Sequence, residues 1–328
     1  FVLIFAIMMG FSWYQSRQWA KQQEAQAQLD SIARVEQMAA MAMDSVKRAQ
    51  GLVADEDVRV MTMPAYKDSM LTEARLAEAQ IYKLSNDKVE IEFTTRGAQP
   101  YSVKIKDYMT YDSTDLYLIK PEQSQFGVTV YAGENINTKD FVFQVAEHND
   151  SLLVMQLPFA QGGYIQQVFS LSEGSYMVQN ELSFVGMGNV IPRNVSNVDI
   201  DWNIIIPRLE KGYKNEKQYS KLDYYFDGDK KPEEMARAKD ESERVDTKFK
   251  WFAFQQQFFS AIMTAGSDFA SADFDVKYYA EDDPTHNLMA CSAKLRSDFQ
   301  SGSEVVIPYK FYYGPNDYRG LKDYGMKY

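Results

Sequence analysis

Side chains that could carry out covalent or metal chemistry are few in this chain, which has two histidines and one cysteine in 328 residues. His148 lies in Glu-His-Asn-Asp, and His286 follows Asp-Asp-Pro-Thr. Polar, turn-like settings of this kind predict histidines that are exposed to solvent. No Gly-x-Ser-x-Gly motif accompanies them, and no Cys/His cluster has the spacing of a zinc site. The sequence therefore predicts no catalytic, cofactor-binding or metal-binding residue.

Two carboxylates and the cysteine are the remaining candidates for chemistry. Asp199 and Asp201 are two residues apart, and paired carboxylates can hydrolyse glycosidic bonds. They alternate with apolar residues over Val198–Trp202, however, which predicts the solvent-facing side of a strand. Cys291 lies in the apolar stretch 288–295, which predicts a strand and a buried, unreactive thiol. A single cysteine also excludes an intramolecular disulfide.

The composition indicates a folded, mainly β protein. The chain is 45% hydrophobic and contains 22 Tyr and 20 Phe, and its length suits one large or two ordinary domains. Aromatic and β-branched residues favour strands. The net charge of −11 argues against nucleic acid as a partner, because a surface of that sign repels phosphates.

The first 14 residues carry no charge and end in Trp13 and Tyr14. They predict the C-terminal part of a first transmembrane helix that contacts the lipid bilayer, with the two aromatic residues at the headgroups. A buried helix and a signal peptide are the alternatives. Residues 15–80 are predicted to form a helical stalk, since apolar residues recur every three or four positions from Leu29 to Val46. A mobile linker is the alternative there, and a short helix is predicted over 68–79.

From residue 81 onward the pattern changes to a period of two. Val89, Ile91 and Phe93 alternate with polar residues, as in a half-buried strand. Similar runs without intervening long helices predict a large antiparallel sandwich over residues 81–312. The predicted strands are 81–84, 89–95, 101–106, 116–119, 128–131, 141–145, 152–157, 164–171, 176–184, 198–206, 269–279, 288–295 and 304–311. The charged segment 227–247 interrupts them and predicts an exposed excursion, partly helical after Pro232.

Four stretches together resemble the N-terminal part of the YidC membrane protein insertase family, especially its Bacteroidetes-type members. They are the apolar start with its Gln/Ala-rich stalk, the opening of the sheet at 84–108, Lys-Trp-Phe-Ala-Phe-Gln-Gln-Gln-Phe-Phe-Ser at 250–260, and the tail 311–325. The resemblance covers nearly the whole chain. One departure is that the family commonly has paired glycines where this chain has Gly97 followed by Ala98.

The resemblance implies a galactose-mutarotase-like β-supersandwich in the periplasm and a multi-pass protein of the bacterial inner membrane, periplasmic from about residue 15. In the family, insertion belongs to a following bundle of transmembrane helices, and residues 313–328 would form the junction toward it. The implied partners are nascent integral membrane proteins and the Sec translocon (SecD/SecF and SecYEG), with no cofactor. The tail at 314–321 is a turn that leads into a helix start.

Two rival interpretations remain open at the level of sequence. The first is a membrane-anchored carbohydrate-binding or mutarotase-like sandwich, which would need an acid/base pair, usually a His with a carboxylate, in one cleft. The second is a membrane-anchored adaptor protein that ends near Tyr328. Because the tail begins a helix just before that residue, the sequence favours a chain that continues over such an adaptor.

Overall fold

The computed structural model describes residues 66–302 and 304–326, and antiparallel strands dominate this part of the chain. The first sheet has four strands in spatial order β1 to β4. Their bounds are Ile81–Ser85, Val89–Thr94, Gln99–Met109 and Asp115–Ile119.

The second sheet has six strands. In spatial order they are β14 (Glu241–Val245), β17 (Ser271–Tyr278), β18 (Asn287–Asp298), β11 (Asn197–Pro207), β5 (Ser124–Tyr131) and β6 (Asn135–Asn137). The third sheet has nine strands. In spatial order they are β13 (Glu233–Met235), β12 (Lys221–Tyr225), β15 (Phe249–Gln255), β16 (Phe259–Phe269), β19 (Glu304–Pro315), β10 (Met177–Val185), β9 (Tyr164–Leu171), β8 (Leu152–Pro158) and β7 (Gln144–His148).

Three short α-helices connect or cover these sheets within the described residues: α1 (Ser69–Leu76), α2 (Tyr213–Tyr219) and α3 (Tyr318–Asp323). The predicted helix over 68–79 is confirmed as α1. Its start is fixed by Asp68, whose Oδ1 accepts a hydrogen bond from the Met70 backbone N–H at 2.9 Å. The predicted helix start in the tail is confirmed as α3, which Asp317 caps in the same way through Gly320 N–H.

The main core lies between the six-stranded and nine-stranded sheets. Trp202 projects from β11 and is fully buried. Its ring contacts Phe252 and Phe254 of β15, at centroid distances of 5.8 and 5.2 Å. It also contacts Phe311 and Tyr313 of β19, at 5.4 and 6.5 Å. These contacts join the two sheets through one aromatic cluster.

A second, smaller core covers the opposite face of the nine-stranded sheet. Trp251, Ile262 and Tyr312 on that face pack with Leu321 of α3 and with Met326. Tyr225 stacks on Trp251 at 5.6 Å. The central strands of this sheet are therefore buried on both faces, which alternating patterns do not signal.

The antiparallel sandwich predicted from the sequence is confirmed, and most of its predicted strands are present. In four regions the prediction was wrong or incomplete. The strand expected at 141–145 lies at Gln144–His148, because Phe141 and Phe143 bond to the backbone at 95–97 instead. The segment 227–247 contains strands β13 and β14 where a partial helix was predicted. Strands β6, β12, β15 and β16 and helix α2 were missed.

The turn after β2 keeps its left-handed geometry without a second glycine. Gly97 has a φ of 80° and Ala98 a φ of 47°. The Gly97 N–H donates to the Phe141 carbonyl at 2.8 Å, and Ala98 is fully buried. The departure from paired glycines is therefore accommodated by the packing of this turn.

The predictions for residues 1–14 and for the stalk up to residue 65 lie outside the described residues. Within the described residues, no helix combines the length and the apolar character needed to cross a membrane.

Candidate functional site

The two histidines lie on different sheets. His148 is exposed at the end of β7 in the nine-stranded sheet, where its Nε2 is 3.0 Å from the Lys83 carbonyl oxygen and its ring contacts Tyr82 edge-on. His286 is exposed in the turn before β18 of the six-stranded sheet, with a φ of 53°. Their exposure, predicted from their polar settings, is confirmed. The structure does not bring the two rings together in a cleft.

The carboxylates on β11 line the wet side of the sheet, as predicted. Asp199 is exposed, and its Oδ1 is 3.1 Å from Nε of Arg296 on the neighbouring strand β18. Val198, Ile200 and Trp202 point to the core. This arrangement is a surface ion pair on an alternating strand, and it supplies no acid/base pair for sugar chemistry.

Cys291 is buried within β18, and its prediction as a buried thiol is confirmed. Burial raises the pKa of the Cys291 thiol, and the nearby Asp275 carboxylate adds to this effect. The thiolate, which is the nucleophile, is therefore disfavoured.

We expect thiol reagents to label Cys291 at least about a hundredfold more slowly in the folded protein than in denaturant, because labelling requires local unfolding. Ellman's reagent at alkaline pH measures both rates, and the denatured chain is the control. Equally fast labelling of the folded protein would show that the thiol is accessible and contradict this assignment.

Two buried carboxylates were not singled out from the sequence. Glu216 lies on α2 with a fully buried side chain. Its Oε1 accepts a hydrogen bond from the Leu209 N–H at 2.8 Å, whereas its buried Oε2 has no hydrogen-bond partner among the described residues. Burial raises the pKa of Glu216 to about 7, although the backbone donors at Leu209 and Glu210 oppose the shift.

The second buried carboxylate, Asp223 on β12, belongs to an ion-pair network at the edge of the nine-stranded sheet. Lys221 Nζ is 2.9 Å from Asp223 Oδ2 and 2.9 Å from Oε2 of Glu234 on β13. Burial raises the pKa of Asp223 to about 6 against the opposing charge of Lys221. A hydrogen bond from Arg237 lowers the pKa of Glu234 to about 2. The network joins β12 to β13, and we assign it a structural role.

A group of five exposed apolar side chains lies on three segments of the chain that line one groove. Three segments contribute to it: the β3–β4 hairpin, the β15–β16 turn and the start of α3. We call this cluster the aromatic edge, and its members are Tyr108, Met109, Tyr111, Phe258 and Tyr318, which are 43%, 70%, 55%, 52% and 60% exposed.

A groove of about 410 Å³ lies between these segments. Its walls include Tyr108 and Met109 from the β3–β4 hairpin, together with Phe258, Phe259 and Pro315. The Tyr108 ring packs edge-on against Phe259 at 5.2 Å. Three members of the aromatic edge, Tyr108, Met109 and Phe258, line this largely apolar groove, and Tyr111 and Tyr318 follow its lining residues in the chain.

The aromatic edge was not predicted from the sequence. Its residues are separated by as many as 210 positions, and the sheet connections alone bring them together. The available signal was local: Tyr108, Met109 and Tyr111 lie at the end of β3 and in the turn after it, and Phe258 lies in the β15–β16 turn, where polar residues are usual.

Together these features define the class of protein to which the described residues belong. Their fold is an antiparallel β-supersandwich. The histidines and the cysteine are dispersed over it, and half of the large exposed apolar side chains lie on the aromatic edge. The chain belongs to the YidC family, since residues 81–327 match the family model for the YidC periplasmic domain. These residues are thus the periplasmic domain of a membrane protein, and its relatives are named for protein insertion and not for an enzymatic reaction.

Curated relatives carry the name membrane protein insertase YidC. That of Parabacteroides distasonis is 28% identical over 334 residues, covering 99% of this chain and 52% of that protein. That of Azobacteroides pseudotrichonymphae is 30% identical over 245 residues, covering 74% of this chain and 39% of that protein. That of Bacteroides fragilis is 28% identical and covers 98% and 50%. The chain spans about half the length of the curated relatives that it matches over nearly its whole length.

Among solved structures, the chain is similar to a galactose mutarotase-like protein from Lactobacillus casei, with a TM-score of 0.46 and 10% identity. The match covers 71% of this chain and 100% of that chain. A galactose mutarotase related enzyme from Lactobacillus acidophilus has a TM-score of 0.44 and 10% identity, covering 71% and 97%. These likenesses concern the fold alone.

Proposed function

We propose that this chain is the periplasmic part of a membrane protein insertase, which assists the insertion, folding and assembly of inner-membrane proteins. The observation that carries the proposal is the match of residues 81–327 to the YidC periplasmic domain, with relatives named as insertases. The protein would be multi-pass, anchored by the apolar residues 1–14 and periplasmic from about residue 15.

The partners in this proposal are nascent integral membrane proteins, handled by the insertase alone or together with the Sec translocon. SecD, SecF and SecYEG are the components that the resemblance implies. The proposed role of the β domain is accessory, because a hydrophobic segment must enter the bilayer through a site at membrane depth. A domain in the periplasm can contact only the end of such a segment that emerges from the bilayer.

Deletion of residues 81–310 from the full-length protein should leave insertion largely intact. The physical reason is that the deletion removes the periplasmic sandwich and none of the membrane-embedded segments implied by the resemblance. The measurement is insertion of a model inner-membrane protein in a depletion strain, scored by protease accessibility.

Immunoblotting of the shortened protein in membranes is the necessary control. Complete loss of insertion, while the shortened protein accumulates normally, would reject the accessory role. Insertion at or near the level of the full protein would support it.

A further inference from the structure

The aromatic edge concentrates apolar exposure in one place. Ten large apolar side chains are exposed among the described residues, and half of them belong to this edge. Single exposed apolar residues are ordinary on protein surfaces, whereas a cluster around a groove marks an interaction site.

Hydrogen bonds hold the segments of the edge in fixed positions. The Asn316 N–H donates to the Phe258 carbonyl at 2.7 Å, and its Nδ2 donates to the Gln256 carbonyl at 2.9 Å. The Tyr111 N–H donates to the Leu209 carbonyl at 3.3 Å, which anchors the β3–β4 hairpin. The edge is thus preformed, and binding would require little ordering of the backbone.

The chemistry of the edge matches a lipid headgroup region. Three of its five side chains are tyrosines, which combine an apolar ring with a hydroxyl and favour membrane–water interfaces. The charged residues that line the groove are Glu210 and Asp317, both acidic. The chain also carries a net charge of −11, so attraction to anionic lipids cannot be the driving force.

We propose that the aromatic edge inserts into the headgroup region of a zwitterionic lipid bilayer and orients the β domain on the membrane. The inference rests on the proposed function, which places this domain beside a membrane at high effective concentration. Tyr108, Met109 and Phe258 enter the interface by apolar burial. Glu210 and Asp317 remain on the wet side of the groove.

The test uses the full-length protein reconstituted in phosphatidylcholine vesicles. Met109→Cys carries a polarity-sensitive fluorophore, while Cys291 stays unlabelled because it is buried. A second sample carries the fluorophore at Tyr131→Cys as a matched control, since Tyr131 is 48% exposed on β5 and lies outside the edge. Any reactive thiols in the rest of the protein are replaced by serine.

Doxyl-labelled phosphatidylcholine and aqueous iodide are the two quenchers. We expect lipid quenching and protection from iodide at position 109, and the reverse at position 131. Adding Phe258→Ser and Tyr318→Ser should lower the lipid contact at position 109 about tenfold, since two half-exposed side chains lose their burial. Tyr131→Ser should leave it unchanged, and circular dichroism verifies that each variant is folded.

Four results would overturn the inference. The first is equal iodide access at both positions without lipid quenching. The second is protection from iodide without lipid quenching, which indicates a protein occupant such as a client segment or a second copy. The third is lipid contact that appears only when anionic phosphatidylglycerol is added. The fourth is lipid contact that the double serine variant does not reduce.

Insertion of a membrane protein into the same vesicles is measured in parallel. Insertion without lipid contact at position 109 would reject the lipid-contact inference and leave the proposed insertase function in place.

Discussion

Trp202→Ala should lower the free energy of unfolding of the β domain by about 3–5 kcal/mol, as large aromatic truncations in cores do. Trp202 is fully buried and contacts rings from both β15 and β19. Removing it leaves a cavity between the two large sheets that the stiff strands cannot close. Urea denaturation of the compact unit Ala65–Tyr328, followed by circular dichroism, measures the change.

A graded variant separates packing from other effects. Trp202→Phe should cost clearly less than the alanine variant, because it keeps most of the ring contacts and removes an indole N–H that has no hydrogen-bond partner within residues 66–302 and 304–326. Tyr131→Ala at the surface should change stability by less than about 0.5 kcal/mol. Equal losses for the phenylalanine and alanine variants would contradict the view that ring packing joins the sheets.

The success of the strand predictions depended on which faces of a strand are buried. Along β9, every second residue from Ile165 to Leu171 is buried and the others are half-buried, so a period of two is visible in the sequence. Along β15, Trp251, Phe252, Ala253 and Phe254 are all buried, because cores cover both faces of the sheet. Consecutive apolar residues gave no alternation, and the strand was missed for that reason.

The charged segment 227–247 misled the prediction for a different reason. Its strands β13 and β14 lie at the edges of the nine-stranded and six-stranded sheets. Edge strands commonly carry charges that discourage pairing with other chains. Here the charges form ion pairs such as Arg244 with Asp273 across β14 and β17, at 3.2 Å. Charge density alone therefore indicated exposure correctly and helix incorrectly.

The surface features were harder to predict than the strands. The sequence identified the dispersed histidines and the buried cysteine, because local context determines exposure. The aromatic edge and the burial of Glu216 depend on which distant segments meet. Glu216 sits among ordinary polar neighbours in Asn215–Lys217, and only the backbone donor at Leu209 and the surrounding core distinguish it.

The stability of the domain should decrease as the pH rises from about 4.5 to about 7, with Glu216 as a main cause. The ordinary pKa of its carboxyl is 4.5, and burial raises the pKa to about 7 in the folded protein. In this window the folded state holds a proton that the unfolded state has released, so rising pH favours unfolding. The expected contribution of Glu216 is roughly 2–3 kcal/mol across the window.

Asp223 should add to this dependence with the same sign at lower pH. Its carboxyl has an ordinary pKa of 3.8, and burial raises the pKa to about 6. The stability that Asp223 contributes decreases as the pH rises from about 3.8 to about 6. Below pH 6, both carboxyl groups therefore contribute to the loss of stability. Between about pH 6 and pH 7 the remaining loss is dominated by Glu216.

Glu216→Gln should therefore flatten the pH profile above pH 6 and make the domain more stable than the wild type at pH 8. The glutamine keeps an oxygen for the Leu209 N–H and carries no charge. The amide N–H₂ of the glutamine takes the place of Oε2 and is buried without a hydrogen-bond acceptor. This cost limits the gain in the free energy of unfolding at pH 8 to roughly 1–2 kcal/mol. Urea midpoints at pH 5, 6, 7 and 8 for the unit Ala65–Tyr328 provide the measurement.

Glu78→Gln is the matched control, because it removes one negative charge at an exposed position after α1 that is not among the groups shifting the pKa of Glu216. A wild-type pH profile for this control, together with a flattened profile for Glu216→Gln, assigns the effect to burial of one group. A Glu216→Gln profile that parallels the wild type would show that the carboxyl is ionised in the folded protein at neutral pH. In that case the buried Oε2 must receive a hydrogen-bond donor in addition to those that the described part of the chain supplies around α2.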